Sequence, residues 1–158
     1  MNIDNSVFIA DGAKVIGNVT IKKDASIWFN VVIRSDMAKV EIGERSNIQD
    51  LAVLHDSIGF NTIIGDDITV GHGAIIHGAH IQNGALIGMG SIILDGAVVE
   101  EEALVAAGCV VPPGKVVPKR HLAVGNPMRI VKELSDEDVK SIQENKDHYL
   151  RLRDIYKK

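Results

Sequence analysis

The chain has 158 residues, a formal net charge of −4 and a hydrophobic content of 46%, values that fit one folded domain. It has no basic stripe and no apolar run of about 18 residues, so we expect neither nucleic acid nor a membrane as a partner. The single cysteine, Cys109, excludes an internal disulfide, and with no visible signal peptide this favours the cytoplasm.

Aliphatic residues recur every six positions along about two-thirds of the chain. A period of six fits neither an amphipathic helix nor simple strand alternation, and is typical of a short strand followed by a turn. Three such units form a triangular coil of roughly 18 residues, and stacked coils lie about 4.8 Å apart. A sandwich of short strands is the alternative, but it would not keep this register. The inward positions are Ile9, Val15, Ile21, Ile27, Ile33, Ile42, Ile48, Leu54, Ile64, Val70, Ile76, Ile81, Ile87, Ile93, Val99, Val105 and Val111.

We therefore predict an all-β fold, a parallel β-helix of hexapeptide repeats over residues 1–115. A connecting loop is expected over 116–134, because Pro118 and Gly125-Asn126-Pro127 interrupt the pattern. The segment 135–158 should form one C-terminal α-helix, at about 136–156, since Ser135 and the acidic residues after it are typical of a helix start. This helix would pack on the β-helix within the same domain, because a solenoid needs its flank covered.

Three histidines occupy comparable places in the repeat. His55 follows inward Leu54, and His77 follows inward Ile76, after one coil and a four-residue slip in the register. The two imidazoles should therefore stack on one edge, close enough to share a metal ion. His72 lies nearly one face away and could reach only the ion of a neighbouring chain, which threefold symmetry would allow. The alternative is that all three are polar turn residues without a metal.

An ordered set of motifs resembles the γ-class carbonic anhydrase family over roughly residues 7–133. Hexapeptide repeats alone would indicate only the wider acyltransferase superfamily, whereas the ordered His, Arg, Asp and Gln motifs are narrower. The motifs are Ile27-Trp28-Phe29-Asn30, Arg34-Ser35-Asp36, Asn47-Ile48-Gln49-Asp50, Val53-Leu54-His55, Val70-Gly71-His72, Ile76-His77-Gly78, Leu86-Ile87-Gly88-Met89-Gly90, Val111-Pro112-Pro113-Gly114-Lys115 and Gly125-Asn126-Pro127.

The resemblance implies a left-handed coil and a homotrimer with a divalent metal at each interface, zinc in preference to iron or cobalt. His55 and His77 would come from one chain and His72 from the next. The implied activity is that of a lyase, the reversible hydration of carbon dioxide, a small-molecule substrate, by metal-bound hydroxide. It also implies site-lining roles for Asn47 and Gln49, a role for Tyr149 near the metal, and interface ion pairs among Arg34, Asp36 and Asp50.

Two departures from the family pattern leave alternatives open. Met37 stands beside Asp36 where an acid is expected, and the segment 56–63 after His55 contains no glutamate. Carbon dioxide hydration is therefore expected to be slow, buffer-dependent or absent. The alternative functions are a hexapeptide-repeat acyltransferase or acyl-CoA thioesterase, and a non-catalytic trimeric metal-binding scaffold.

Overall fold

The computed structural model describes residues 1–157, so Lys158, the last residue of the predicted segment 135–158, lies outside the described residues. The fold is a left-handed parallel β-helix followed by one C-terminal helix, which confirms the predicted fold class. Within residues 1–157 no helix is both long and apolar enough to cross a membrane.

Most strands have two to five residues, as the six-residue repeat requires, whereas β3, β5 and the helix are longer. In chain order the elements are β1 (Asn2–Ile3), β2 (Phe8–Ile9), β3 (Lys14–Ile21), β4 (Ser26–Ile27), β5 (Val32–Ile42), β6 (Asn47–Ile48), β7 (Val53–His55), β8 (Thr62–Ile64), β9 (Thr69–Val70), β10 (Ile75–His77), β11 (His80–Ile81), β12 (Leu86–Ile87), β13 (Ile92–Ile93), β14 (Val98–Val99), β15 (Leu104–Val105), β16 (Val110–Val111), β17 (Val116–Val117), β18 (His121–Val124), β19 (Arg129–Glu133) and α1 (Asp136–Tyr156).

Three faces form the coil. The first face stacks β3, β5, β7, β10, β13 and β16, and the second stacks β1, β3, β5, β8, β11, β14 and β17, because β3 and β5 bend around the corner between them. The third stacks β2, β4, β6, β9, β12, β15 and β18, with β19 antiparallel at its end. We call the turn from the first face to the second the His55 corner (residues 34–38, 55–61 and 77–79). The turn from the third face to the first is the His72 corner (residues 50–51, 72–73 and 89–90).

The predicted aliphatic ladder fills the core. Every member from Ile21 to Val111 is buried, and each stacks on its equivalent in the next coil, as Leu54 does on Ile76. Ile9 is exposed because it lies in the first coil, where no further strand covers it. The core is therefore a set of aliphatic columns rather than an aromatic cluster.

Interruptions of the six-residue register lie at the His55 corner. After Ile33 the chain continues as the eleven-residue strand β5, which passes through the corner without a break. After His55 the extra residues form a tight turn, closed by two backbone hydrogen bonds of 3.0 and 2.9 Å between Ser57 and Phe60. The coil is thus elaborated at the corner that carries His55 and His77.

Residues 116–134 differ from the predicted connecting loop. They contain the strands β17, β18 and β19, and the buried side chains of Val117 and Ala123 continue the inward columns. The prediction was wrong here because Pro118 falls at a turn of the coil and the Gly125-Asn126-Pro127 run falls in the reversal between the antiparallel strands β18 and β19, so neither interrupts a strand.

Helix α1 crosses the third face and contacts it partly through charged side chains. Its start is a capping box, in which Ser135 Oγ accepts from the N–H of Asp138 at 3.1 Å and the Asp138 carboxylate accepts from the N–H of Ser135 at 3.0 Å. Near its end the buried Arg153 donates to the backbone oxygen of Asp24 at 2.7 Å. The helix is therefore fixed to the first coils near its end, and near its start Asp136 pairs with Arg120 of the last coils.

Candidate metal site

His55 and His77 are direct neighbours in the stack, which is the pairing that the repeat predicts. Strands β7 and β10 place the two residues opposite each other, and Arg34 lies opposite His55 on its other side. His55 Nδ1 lies 3.1 Å from His77 Nε2. Two nitrogens bound at 2.0–2.1 Å to one tetrahedral zinc ion are about 3.3 Å apart. The ring positions therefore fit a shared ion.

Each of these rings makes a second contact, with a carboxylate at its other nitrogen. Asp36 Oδ1 lies 2.9 Å from His55 Nε2, and Asp95 Oδ1 lies 2.5 Å from His77 Nδ1. An ionised carboxylate can only accept, so both of these ring nitrogens carry the hydrogen. When both rings are neutral, the two facing nitrogens bring their lone pairs close together. A cation bound by both nitrogens, to one side of the line that joins them, removes that repulsion, and carboxylate partners of this kind are common for metal-bound histidines.

Asp36 is ionised because its partners favour the charged form. The hydrogen bond with His55 has the largest effect and lowers the pKa of Asp36, and the ion pair with Arg34 acts in the same direction. Asp36 is exposed, so in one chain this is a surface arrangement that contributes little to stability. Its effect is on the orientation and tautomer of His55.

Asp56 is a buried carboxylate that holds the His55 corner together. Its Oδ2 accepts from Ser35 Oγ at 2.6 Å and from the N–H of Ala38 at 2.8 Å. Burial by itself would raise the pKa of Asp56, but these hydrogen bonds outweigh burial and the pKa is lowered. Asp36, His55 and Asp56 have ligand atoms within 4.8 Å of one another, so they form a candidate cation-binding group. The hydrogen bonds of Asp56 favour a role in shaping the turn instead.

His72 lies at the other end of the first face, on the His72 corner. Its Nδ1 is 2.7 Å from Asp50 Oδ2, and its Nε2 is 3.3 Å from the Tyr149 hydroxyl. Among residues 1–157, no set of three candidate ligands brings His72 together with His55 and His77. The His72 side chain is 43% exposed, which leaves it open to another molecule. A site made of all three histidines therefore needs a second chain.

Helix α1 packs on the third face and so brings Tyr149 to His72. The Tyr149 ring packs edge-on against Trp28, with centroids 5.3 Å apart. Burial, and then the charge of Asp50, raise the pKa of Tyr149, so its hydroxyl stays protonated at neutral pH. Because Asp50 takes the Nδ1 hydrogen of His72, the Tyr149 hydroxyl can donate to the Nε2 atom.

A cleft of about 290 Å³ lies beside His72, between α1 and the third face. Gln49 and Tyr149 line it together with apolar side chains such as Leu86. Gln49 Nε2 donates to Asn47 Oδ1 at 3.1 Å, and Asn47 in turn donates to Thr69 Oγ1 at 3.0 Å. This chain of buried amides fixes the orientation of the Gln49 side chain.

The three residues predicted as interface ion pairs fall into two groups within one chain. Arg34 pairs with Asp36 on the His55 corner, whereas Asp50 lies on the His72 corner beside its imidazole. The sequence motifs do not include Asp95, although its carboxylate contacts His77. The repeat could have predicted this contact. Asp95 follows inward Ile93 by two residues, and Ile93 pairs with Ile76, so Asp95 lies one coil after the residues that follow His77.

Known proteins resemble this chain along nearly its whole length. The protein named "Probable carbonic anhydrase" from Methanocaldococcus jannaschii is 52% identical over 150 residues, which are 95% of this chain and 94% of that protein. The "Uncharacterized transferase YtoA" from Bacillus subtilis is 54% identical over 156 residues, 99% of this chain and 91% of that protein. The crystal structure of a hexapeptide transferase family protein from Anaplasma phagocytophilum matches with a TM-score of 0.94 at 39% identity, covering 98% of this chain and 92% of that one. No protein-family model matches the sequence.

Proposed function

This chain belongs to the γ-class carbonic anhydrase-like family of hexapeptide-repeat proteins, and we propose that it hydrates carbon dioxide reversibly at a divalent metal ion shared between chains of a homotrimer. His55 and His77 of one chain and His72 of a neighbour would hold the ion. The main support is the 3.1 Å approach of two imidazole nitrogens, in rings whose other nitrogens both contact carboxylates. Three imidazole ligands suit zinc, and also iron or cobalt.

One outward column of the first face supports a threefold assembly, because after Lys14 in β3 it is apolar from β5 to β16. Both the His55 corner and the His72 corner border this face. If the His55 corner of each chain meets the His72 corner of the next, the three first faces meet at the threefold axis. A continuous apolar column would then be removed from water, which favours association. The outward residues of this column, in register along the stack, are Val32, Val53, Ile75, Ile92 and Val110.

The residues around the site have separable roles in the proposed reaction. When bound, the ion supplies Lewis acidity that makes a water molecule nucleophilic at neutral pH. Asp36 can hold the ring hydrogen of His55 on Nε2, which leaves Nδ1 free for the ion. The Gln49 amide, which Asn47 fixes, can donate to a substrate oxygen from the cleft. Once His72 Nε2 serves as a ligand, the Tyr149 hydroxyl is released to donate to substrate as well.

Proton export limits the expected rate. The exposed rim of the His55 corner carries Met37 and Ile58, which are not proton acceptors, and its one exposed carboxylate, Asp36, is already held by His55 and Arg34. Asp56 is buried and already accepts hydrogen bonds from Ser35 and Ala38. A diffusing base such as imidazole should therefore accelerate turnover, because it replaces the missing proton acceptor.

Metal analysis of an interface variant tests the proposal. We expect one ion per chain in the parent protein and a large loss in His72→Ala, with the trimer retained and with stopped-flow carbon dioxide hydration abolished. His121→Ala is the matched control, since His121 lies in the distant strand β18 and its ring contacts only a backbone oxygen. Unchanged metal content in His72→Ala would remove the shared-site proposal.

The cleft beside His72 supports a second candidate, acyl transfer or thioester hydrolysis. Its volume of about 290 Å³ exceeds what carbon dioxide needs, and Leu86, Met89 and Ala107 give it an apolar lining. Relatives named as transferases point in the same direction. Saturable turnover of acetyl-CoA that survives metal removal would replace the anhydrase proposal. A stable trimer with neither activity would favour the scaffold function.

A further inference from the structure

We propose that Asp95 is a positioning residue for His77, which holds the imidazole so that Nε2 rather than Nδ1 faces the shared metal position. The inference rests on the proposed function of this site. The distance of 2.5 Å between Asp95 Oδ1 and His77 Nδ1 is the shortest polar contact of the three proposed histidine ligands. It fixes both the rotation of the ring and the nitrogen that carries the hydrogen.

Gly78 provides the space that this contact needs. Ile93 pairs with Ile76, so the Asp95 segment lies directly beside the residues that follow His77, and the N–H of Gly96 donates to the oxygen of Gly78 at 2.7 Å. A Cβ atom at Gly78 would lie 2.5 Å from Asp95 Oδ1. The same Cβ would lie 2.9 Å from Phe60 Cβ, so glycine leaves free the space into which the carboxylate turns towards His77.

Within residues 1–157 the Asp95 side chain makes no polar contact with any residue other than His77. Its one side-chain hydrogen bond and its one ion-pair contact there are both with His77. Asp36, by contrast, pairs with Arg34 as well as with His55. A carboxylate at hydrogen-bond distance from a single imidazole is better explained by orientation of that imidazole than by general surface pairing, which contributes little to stability.

The expected effect is on metal affinity. Removing the carboxylate partner of a metal-bound histidine typically lowers affinity by about 10–100-fold. We expect this loss in Asp95→Ala and also in Gly78→Ala, where the carboxylate is displaced although it is still present. Asp95→Asn keeps an acceptor oxygen, so it should recover most of the affinity.

The experiment measures cobalt(II) and zinc(II) binding to the full-length chain by competition with a chelator. Nitrogen-15 NMR of the metal-free protein reports which nitrogen of His77 carries the hydrogen, and this readout does not depend on activity. We expect the Nδ1–H form in the parent and in Asp95→Asn, and a shift towards the Nε2–H form in Asp95→Ala. Asp11→Ala, an exposed acid in the first coils, is the control and should match the parent.

The outcomes separate this inference from the proposed function. Parent-like cobalt affinity and an unchanged His77 tautomer in Asp95→Ala would overturn the role of Asp95, and the shared site would stand if His77→Ala loses the metal. Parent-like metal content in His77→Ala would instead remove the site itself. If Asp95→Ala does not fold, the comparison of Asp95→Asn with Gly78→Ala decides, since equal affinities in those two variants contradict the inference.

Discussion

Replacement of Ile75 by lysine would test the proposed threefold axis. Ile75 lies in the middle of the apolar column of the first face, between Val53 and Ile92, and 37% of its surface is exposed in one chain. Burial of a whole isoleucine side chain contributes roughly 1.5–3 kcal/mol, so covering the exposed third contributes about 0.5–1 kcal/mol per chain. Three copies meet at the axis, which makes this about 1.5–3 kcal/mol per trimer. Three ammonium groups forced together out of water add a further cost of several kcal/mol.

His80→Lys is the matched control, because His80 holds the same outward place on the second face, beside Ile63 and Val98, and is already exposed. Sedimentation velocity at micromolar concentration should show the parent and His80→Lys as trimers, and Ile75→Lys mainly as a monomer with an intact β-sheet circular dichroism spectrum. The monomer should also lose the metal, because its site would be incomplete. An Ile75→Lys protein that stays trimeric at the same concentrations as His80→Lys would refute the placement of the first face at the axis.

Three further predictions concern the core, the site and one ion pair of the coil. Ile76→Ala, at a fully buried position, should lower the free energy of unfolding in urea by about 2–5 kcal/mol, whereas a change to alanine at the 79% exposed Ile58 should stay within about 0.5 kcal/mol. Tyr149→Phe should keep the parent metal content and lose roughly tenfold or more of the hydration rate, and an unchanged rate would exclude Tyr149 from the reaction. The hydrogen bond from Arg45 lowers the pKa of Asp67 below 3.8, so the stability that this carboxylate contributes is complete above that pH and is lost as the pH falls through the folded-state pKa. The difference in unfolding free energy between the parent and Asp67→Asn should therefore be constant near neutral pH and shrink below about pH 4; a difference that grows on acidification would contradict this cause.

The period of the sequence determines which residues are neighbours in the stack. Ile33, Leu54 and Ile76 meet because equivalent positions in successive coils lie one strand spacing apart. For the same reason, counting coils and slips is enough to place His55 beside His77. The single helix at the C-terminus also follows from local signals, since its capping residues are adjacent in the chain.

The contacts that the six-residue repeat does not predict are determined by the tertiary structure. Tyr149 reaches His72 across 77 positions of the chain because α1 docks on the third face, and Arg153 is buried on that face because it pairs with Asp24, against the usual expectation for a charged residue. Asp95 reaches His77 through space that Gly78, which has no side chain, leaves free. Repetition encodes the spacing along the coil axis, whereas docking of the helix and the direction of side chains at the corners depend on the shape of surfaces that exist only once the coil has formed.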